Sequence, residues 1–120
     1  MSEQELTIWS LTRVSTKTSL TEAAGVMCNR SIGAIGVFDD GGFIGILTER
    51  DIVWVVSQGT VPSSVTVGEV VNDFPVVLDA PVTRSEAAKR MRSAHVRHIV
   101  VRSKDDYGIT SMRDLLTDVF

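Results

Sequence analysis

The sequence predicts an α+β protein built from two copies of one β-α-β-β-α unit. The main evidence is a stretch that occurs twice, as Gly-Ile-Leu-Thr-Glu-Arg-Asp at residues 45–51 and as Gly-Ile-Thr-Ser-Met-Arg-Asp at residues 108–114. A second pattern, Glu-Ala-Ala followed by a methionine, begins at Glu22 and again at Glu86. Because an internal repeat determines the architecture, we expect the chain to fold as two similar halves.

The two copies are assigned to residues 6–60 and 65–120, with a linker at 61–64. A single copy of about 55 residues has difficulty covering a sheet alone. The two copies are therefore expected to form one module, packed sheet to sheet with pseudo-twofold symmetry.

The elements of the first copy follow from capping signals, turn signals and hydrophobic periodicity. They are expected as an arm or short helix at 1–13, a helix at 19–29, strands at 34–38 and 43–47, and a helix at 48–59. Ser19 begins a stretch with capping-box spacing, and Asp-Asp-Gly-Gly at residues 39–42 is a strong turn signal. In the second helix, Ile52, Val53 and Val56 are expected to face inward.

The second copy is predicted from the same signals. Its elements are expected as a short helix at 65–71, a strand at 75–78, a helix that begins at 83, strands at 96–101 and 107–110, and a last helix that begins at 111. Thr83 and Glu86 again have capping-box spacing. In the last helix, Leu115, Leu116 and Val119 are expected to face inward.

Composition disfavours several classes of function. The net charge of −3 gives no support for nucleic-acid binding, which needs clustered cations. The absence of a long apolar run predicts no membrane span. The acidic, polar start differs from a secretory signal, and a single cysteine, Cys28, cannot form an internal disulfide, so a cytoplasmic protein is expected. Cys28 itself is expected to be a small buried residue of its helix.

The candidate functional groups are the residues that open the second helix of each copy. Thr48 and Asp51, like Ser111 and Asp114, place a hydroxyl and a carboxylate at a helix start. One interpretation is structural, because the hydroxyl can cap a free backbone N–H and the acid favours the positive helix end. The other is a nucleotide site, because the free N–H groups suit a phosphate and the carboxylate can accept both hydroxyls of a ribose. Spacing alone favours the structural interpretation.

The repeated unit resembles the cystathionine-beta-synthase (CBS) domain, and the chain is similar to a stand-alone tandem pair of such domains. The resemblance covers residues 6–120. Its matching stretches are Leu-Thr-Glu-Ala-Ala at 20–24 with Met27, Ser-Glu-Ala-Ala at 85–88 with Met91, Val-Arg-His-Ile-Val-Val at 96–101, and the repeated stretches at 45–51 and 108–114. None of these is specific alone, but their order, spacing and duplication are.

The resemblance implies two clefts between the copies that bind an adenosyl ligand, such as AMP, ADP, ATP, S-adenosylmethionine or NAD(H). The implied ribose ligands are Asp51 and Asp114, and the implied phosphate ligands are Thr48, Ser111, Arg97 and His98. The base is implied to lie near Ser15 and Thr16 in one cleft and near Leu78 and Asp79 in the other.

The two clefts are expected to differ in affinity. The family implies a further phosphate contact from the start of the central strand, where the second copy has Arg97 and His98. The first copy has Gly33 and Ala34 at the matching positions. A cation and an imidazole can form charge-assisted bonds to phosphate, so the site of Asp51 is expected to be the tighter one.

The leading interpretation is a non-catalytic adenine-nucleotide sensor, without a cofactor, that regulates an unidentified protein partner by population shift. The resemblance implies a homodimer, and Trp54 is a candidate for the subunit interface. The alternatives are a ligand-free dimerisation or protein-interaction module, a small enzyme that acts on a nucleotide, and a nucleic-acid binder. No nucleophile–base pair is found, so an enzyme is not predicted. His95 and His98 lack a third ligand, so no metal site is predicted.

Overall fold

The computed structural model describes residues 6–104 and 106–117, which form an α+β fold as the sequence predicts. Its strands are β1 Trp9–Ser10, β2 Arg13–Ser15, β3 Ala34–Asp39, β4 Gly42–Thr48, β5 Val77–Asp79, β6 His98–Ser103 and β7 Asp106–Ser111. Its helices are α1 Leu20–Arg30, α2 Glu49–Ser57, α3 Val67–Val70, α4 Arg84–Ala94 and α5 Met112–Thr117, with a 3-10 turn at Pro62–Ser64.

The chain divides into two compact units, and each takes a short segment from outside its own repeat. One unit comprises Thr12–Phe74 and contains the sheet β2-β3-β4. The other comprises the described part of residues 6–11 and 75–117 and contains the sheet β1-β7-β6-β5. In each sheet the two long strands form an antiparallel hairpin, and a short strand lies parallel to its first strand.

The Thr12–Phe74 unit packs α1 and α2 on its sheet. Ser19 caps α1 by accepting a hydrogen bond from the backbone N–H of Glu22 at 3.1 Å, and Ser31 ends the helix in the left-handed conformation, with φ of 54°. The Ser19 cap predicted from the spacing thus begins the helix where the sequence indicates. The buried core of this unit consists of Leu20, Ala23, Met27, Ile35, Val37, Leu47, Val55 and Val67.

The second unit is built in the same way around α4. Thr83 caps α4 by accepting from the backbone N–H of Glu86 at 3.1 Å, and His95 ends the helix with φ of 57°. Its buried core consists of Val82, Ala87, Met91, Ile99 and Val101, and Leu6, Val76, Leu78 and Leu115 pack against it.

The predicted inward faces of the last helix in each repeat are partly wrong. Val53 and Val56 are 66% and 55% exposed, whereas Val55 is buried at 3%. Residues 52–56 are apolar on every side of α2, so their pattern does not indicate which face meets the core. In α5, Leu115 packs on the core but Leu116 is 56% exposed, and Val119 lies outside the described residues.

One further prediction is wrong, a second is wrong only in its helix alternative, and two strands are shifted. Cys28 is exposed on α1 because it follows Met27, which occupies the buried face. In the predicted arm or helix at 1–13, the described residues form two short strands, because β1 pairs with β7 and β2 with β3. The strands predicted at 75–78 and 96–101 are Val77–Asp79 and His98–Ser103.

A short leader segment crosses the last strand of each sheet in the same register. In one unit Trp9 lies opposite Ile109, and in the other Asn72 lies opposite Ile46. Ile46 and Asn72 exchange two backbone hydrogen bonds of 3.1 Å. Gly45 is required at this crossing, since a Cβ atom there would collide with the carbonyl oxygen of Asn72. Asn72 is therefore the structural counterpart of Trp9.

Candidate functional site

Thr48 and Asp51 form a complete capping box at the start of α2. Oδ2 of Asp51 accepts hydrogen bonds from the Thr48 backbone N–H at 2.8 Å and from the Thr48 hydroxyl at 3.0 Å. The Asp51 backbone N–H donates in return to the Thr48 hydroxyl oxygen at 3.3 Å. The structural interpretation of this pair is therefore confirmed. Within the described part of the chain, no donor reaches the other carboxylate oxygen, Oδ1.

Ser111 and Asp114 form the same arrangement at the start of α5, with matching distances of 2.8, 3.0 and 3.3 Å. Here the second carboxylate oxygen is also used. The indole N–H of Trp9 donates to Oδ1 of Asp114 at 3.0 Å. The two aspartates thus share one structural role but differ in what remains open to a ligand.

A cavity of about 260 Å³ adjoins Asp51. It is lined by Asp51, Trp54, Glu69, Val70 and Val71, all from the Thr12–Phe74 unit. The side chain of Trp54, the candidate for a subunit interface, is 61% exposed. The cavity combines an indole and two valines with two carboxylates, so it suits a flat apolar group that carries hydroxyls.

Glu69 contributes a fixed negative charge to this cavity. Its Oε2 accepts from the Thr66 backbone N–H at 2.7 Å and from the Thr66 hydroxyl at 3.0 Å. The backbone N–H of Thr66, followed by its hydroxyl, holds the pKa of Glu69 below its ordinary value of 4.5. Two carboxylates repel an anion, so this cavity favours a neutral group that carries hydroxyls over a phosphate.

The sequence prediction missed Glu69 and Trp9. The spacing of Thr66 and Glu69 is itself a capping-box signal, which could have identified the acid. Trp9 carries no local signal, because its contact with Asp114 spans 105 residues.

The predicted phosphate ligands are divided between the two compact units. Thr48 and Asp51 belong to the Thr12–Phe74 unit, and Ser111, Arg97 and His98 belong to the other. Arg97 is exposed just before β6, and His98 is half-buried at its first residue. Their joint use with Thr48 and Asp51 at one ligand stays a prediction.

The predicted base contacts have mixed environments. Ser15 and Thr16 lie at the end of β2, where the Ser15 hydroxyl oxygen accepts from the Lys17 backbone N–H at 3.2 Å. Asp79 forms an ion pair of 2.7 Å with Arg102, and that guanidinium lowers the pKa of the Asp79 carboxyl.

Leu78 packs on the core of its unit. Among the described residues, no hydrogen bond joins Ser15, Thr16, Leu78 or Asp79 to either capping aspartate.

Neither a metal cluster nor a membrane span is found in the described residues. Over 6–104 and 106–117, no three His, Cys, Asp or Glu side chains are grouped to hold a metal ion. His95 is the exposed residue that ends α4. No helix in the same part of the chain is long and apolar enough to cross a membrane.

The sequence profile of the CBS domain matches this chain twice, at residues 5–58 and 67–119. Hypoxic response protein 1 of Mycobacterium tuberculosis is 34% identical over 108 residues, which cover 88% of this chain and 76% of that protein. A crystal structure of hypoxic response protein I with two coordinated zinc ions is 31% identical to this chain, with a TM-score of 0.75. The match covers 93% of this chain and 92% of that one.

Two further solved structures share the fold. A CBS-domain protein of Agrobacterium tumefaciens is 29% identical with a TM-score of 0.83, over 93% of this chain and 91% of that one. A CBS-domain protein of Pyrobaculum aerophilum, complexed with AMP, is 20% identical with a TM-score of 0.79, over 92% of this chain and 91% of that one. At 20% identity, the second likeness shows the fold alone.

Proposed function

This chain belongs to the CBS domain family, and we propose that it is a non-catalytic regulatory module that binds an adenosyl ligand, with an adenine nucleotide as the leading candidate. The observation that carries the proposal is the hydrogen bonding of the Asp51 carboxylate. One of its carboxylate oxygens is held by Thr48, and the other has no donor among the described residues.

The chemistry at Asp51 suits a ribose. A carboxylate oxygen accepts hydrogen bonds and cannot donate them, so its natural partner is a pair of hydroxyl groups. Because Thr48 already fixes Oδ2, the carboxylate is oriented before a ligand arrives, and less side-chain entropy is lost on binding. The neighbouring indole of Trp54 offers a flat apolar surface for a base.

The cavity beside Asp51 explains which part of a ligand it would hold. Its volume of about 260 Å³ lies just below the ~300 Å³ at which ordinary ligand pockets begin. It therefore suits a nucleoside portion better than a whole nucleotide. Arg97 and His98 remain the proposed phosphate ligands, because the acids of the cavity disfavour a phosphate.

Relatives of the same fold support an adenosyl ligand as the class. The AMP complex of the Pyrobaculum aerophilum protein demonstrates that such a fold accepts this class in at least one member. The zinc ions of the hypoxic response protein I structure are not proposed for this chain, since no three His, Cys, Asp or Glu side chains of its described residues are grouped to hold a metal ion.

The proposal is tested by thermal shift with AMP, ADP, ATP, S-adenosylmethionine and NADH at millimolar concentration. A ligand that binds only the folded state raises the melting temperature, and at a hundred times its Kd it adds about 2.7 kcal/mol of stability. Asp51→Asn should abolish the shift, since the amide replaces the open acceptor with a donor. Asp40→Asn removes an equal charge from an exposed turn and should leave the shift unchanged.

Two results would contradict the proposal. One is that none of the five compounds changes the melting temperature. The other is that a compound stabilises the wild type and Asp51→Asn equally, which would move the site away from this carboxylate.

A second candidate function is supported by the outer face of α2. Val53, Trp54 and Val56 are each more than half exposed there, and a monomer rarely keeps such a set in water. These residues fit the predicted homodimer, or a partner protein, independently of any ligand. A sedimentation measurement that finds a dimer, lost in Val53→Glu, together with no response to the five compounds, would favour the interaction module.

A further inference from the structure

The second candidate site of this chain is occupied by one of the chain's own side chains. At Asp114, Oδ2 is held by Ser111 and Oδ1 accepts the indole N–H of Trp9 at 3.0 Å. Every oxygen with which this carboxylate could accept a ribose hydroxyl therefore already has a donor. At Asp51, no described donor reaches Oδ1.

The difference arises at a single structurally equivalent position. Trp9 lies opposite Ile109, and Asn72 lies opposite Ile46, so both sit where a leader segment crosses the strand that precedes the capping box. The Asn72 side chain is turned to its own loop, where its Oδ1 accepts from the Phe74 backbone N–H at 3.0 Å. Trp9 instead extends to the carboxylate.

The position of Trp9 is fixed by the backbone on both sides. Trp9 and Ser10 pair with Ile109 and Gly108 of β7, and the Leu11 N–H donates to the Tyr107 carbonyl oxygen at 3.3 Å. The Ile8 side chain lies against Gly108, where a Cβ atom would collide with it. The strand thus fixes the backbone of Trp9 beside β7, from where the indole reaches Asp114.

We infer that Trp9 closes the second site, so that each chain binds one adenosyl ligand, at Asp51, and Asp114 becomes available only when the indole N–H is removed or displaced. This inference rests on the proposed function. The hydrogen bond from Trp9 to Asp114 can be observed without any ligand.

Adenosine is the sharpest probe, because it has no phosphate. If adenosine does not bind at the second site, the lack of a phosphate-binding cation there cannot be the reason. Equilibrium dialysis with adenosine, and in parallel with AMP, should find one ligand per wild-type chain. Trp9→Phe keeps an aromatic side chain of smaller size and removes the N–H, and it should raise the number of bound ligands to two.

The gain in affinity at Asp114 should be about fivefold, because a largely exposed hydrogen bond to a charged acceptor no longer competes with the ligand. Adding Asp114→Asn to Trp9→Phe should return the number to one. Val61→Ala is the control, since it changes a side chain that is 61% exposed, close to the 60% of Trp9, and should leave one ligand bound.

The contact itself is tested without a ligand by the indole N–H signals of Trp9 and Trp54 in a nitrogen–proton NMR spectrum. Asp114→Asn should shift the Trp9 signal and leave the Trp54 signal in place. This measurement supports or contradicts the contact even if no adenosyl compound binds.

The outcomes separate the two levels of the argument. Two ligands on the wild type, or one ligand on both the wild type and Trp9→Phe, would overturn the closed second site while leaving the proposed function intact. No ligand on either protein would overturn both. An Asp114→Asn spectrum in which the Trp9 signal does not move would refute the contact directly.

Discussion

The two capping aspartates should differ in how much stability they lose when each is changed to asparagine. At Asp51, an amide oxygen can replace Oδ2 as the acceptor for Thr48, and the amide nitrogen then takes the position that has no described donor. The main loss is the negative charge at the helix start, which contributes about 0.3–1 kcal/mol. Asp51→Asn should therefore cost about 0.5 kcal/mol.

At Asp114 the same change meets a second donor. With the amide oxygen retained toward Ser111, the new amide nitrogen faces the indole N–H of Trp9, and the bond of 3.0 Å is lost. A bond to a charged acceptor contributes about 1.5–3 kcal/mol when buried, and the exposure of Trp9 reduces this to about 1 kcal/mol. Asp114→Asn should thus cost about 1 kcal/mol more than Asp51→Asn.

Urea unfolding followed by circular dichroism measures both costs, and a difference of 1 kcal/mol corresponds to about 4 °C in melting temperature. A double-mutant cycle between Trp9→Phe and Asp114→Asn should give a coupling of about 1 kcal/mol, and the cycle with Asp51→Asn should give none. Equal costs for the two aspartates, or a zero coupling at Asp114, would refute the reasoning.

Two further predictions concern stability. The Thr110 side chain is fully buried, and its hydroxyl has no hydrogen-bond partner in the described structure. Thr110→Val should therefore raise the unfolding free energy by about 1 kcal/mol in the same urea assay. A lower unfolding free energy would show that the hydroxyl does have a partner. The lowered pKa of Glu69 implies stabilisation that is present above 4.5 and lost as the pH falls through the lower folded-state value. Glu69→Gln should flatten that acid-side loss in melting temperature, whereas an unchanged pH profile would contradict it.

The helix starts could be predicted from the sequence because capping is local. Ser19, Thr48, Thr83 and Ser111 each lie three residues before their acidic partner, and each hydroxyl accepts the predicted backbone hydrogen bond. The information needed to place these caps is contained within four consecutive residues. The α+β class followed from the same signals, because they recur in the same order in both repeats.

The inner face of α2 could not be predicted, because the helix is apolar on all sides between residues 52 and 56. Only the packing of the sheet selects Val55 over Val53 and Val56. The contact of Trp9 with Asp114 also could not be predicted from local sequence patterns. It depends on a strand pairing that joins the first described residues to β7, and no pattern along the chain specifies such a pairing.

The capping and ligand-binding interpretations of Asp51 do not exclude each other, because a carboxylate has two oxygens. A cap that uses Oδ2 fixes the side-chain rotamer, and a fixed rotamer is what a preorganised site requires. The decisive question at such a position is therefore which donor, if any, holds the second oxygen. At Asp114 that donor is Trp9, so two repeats with the same capping box can carry different binding capacity.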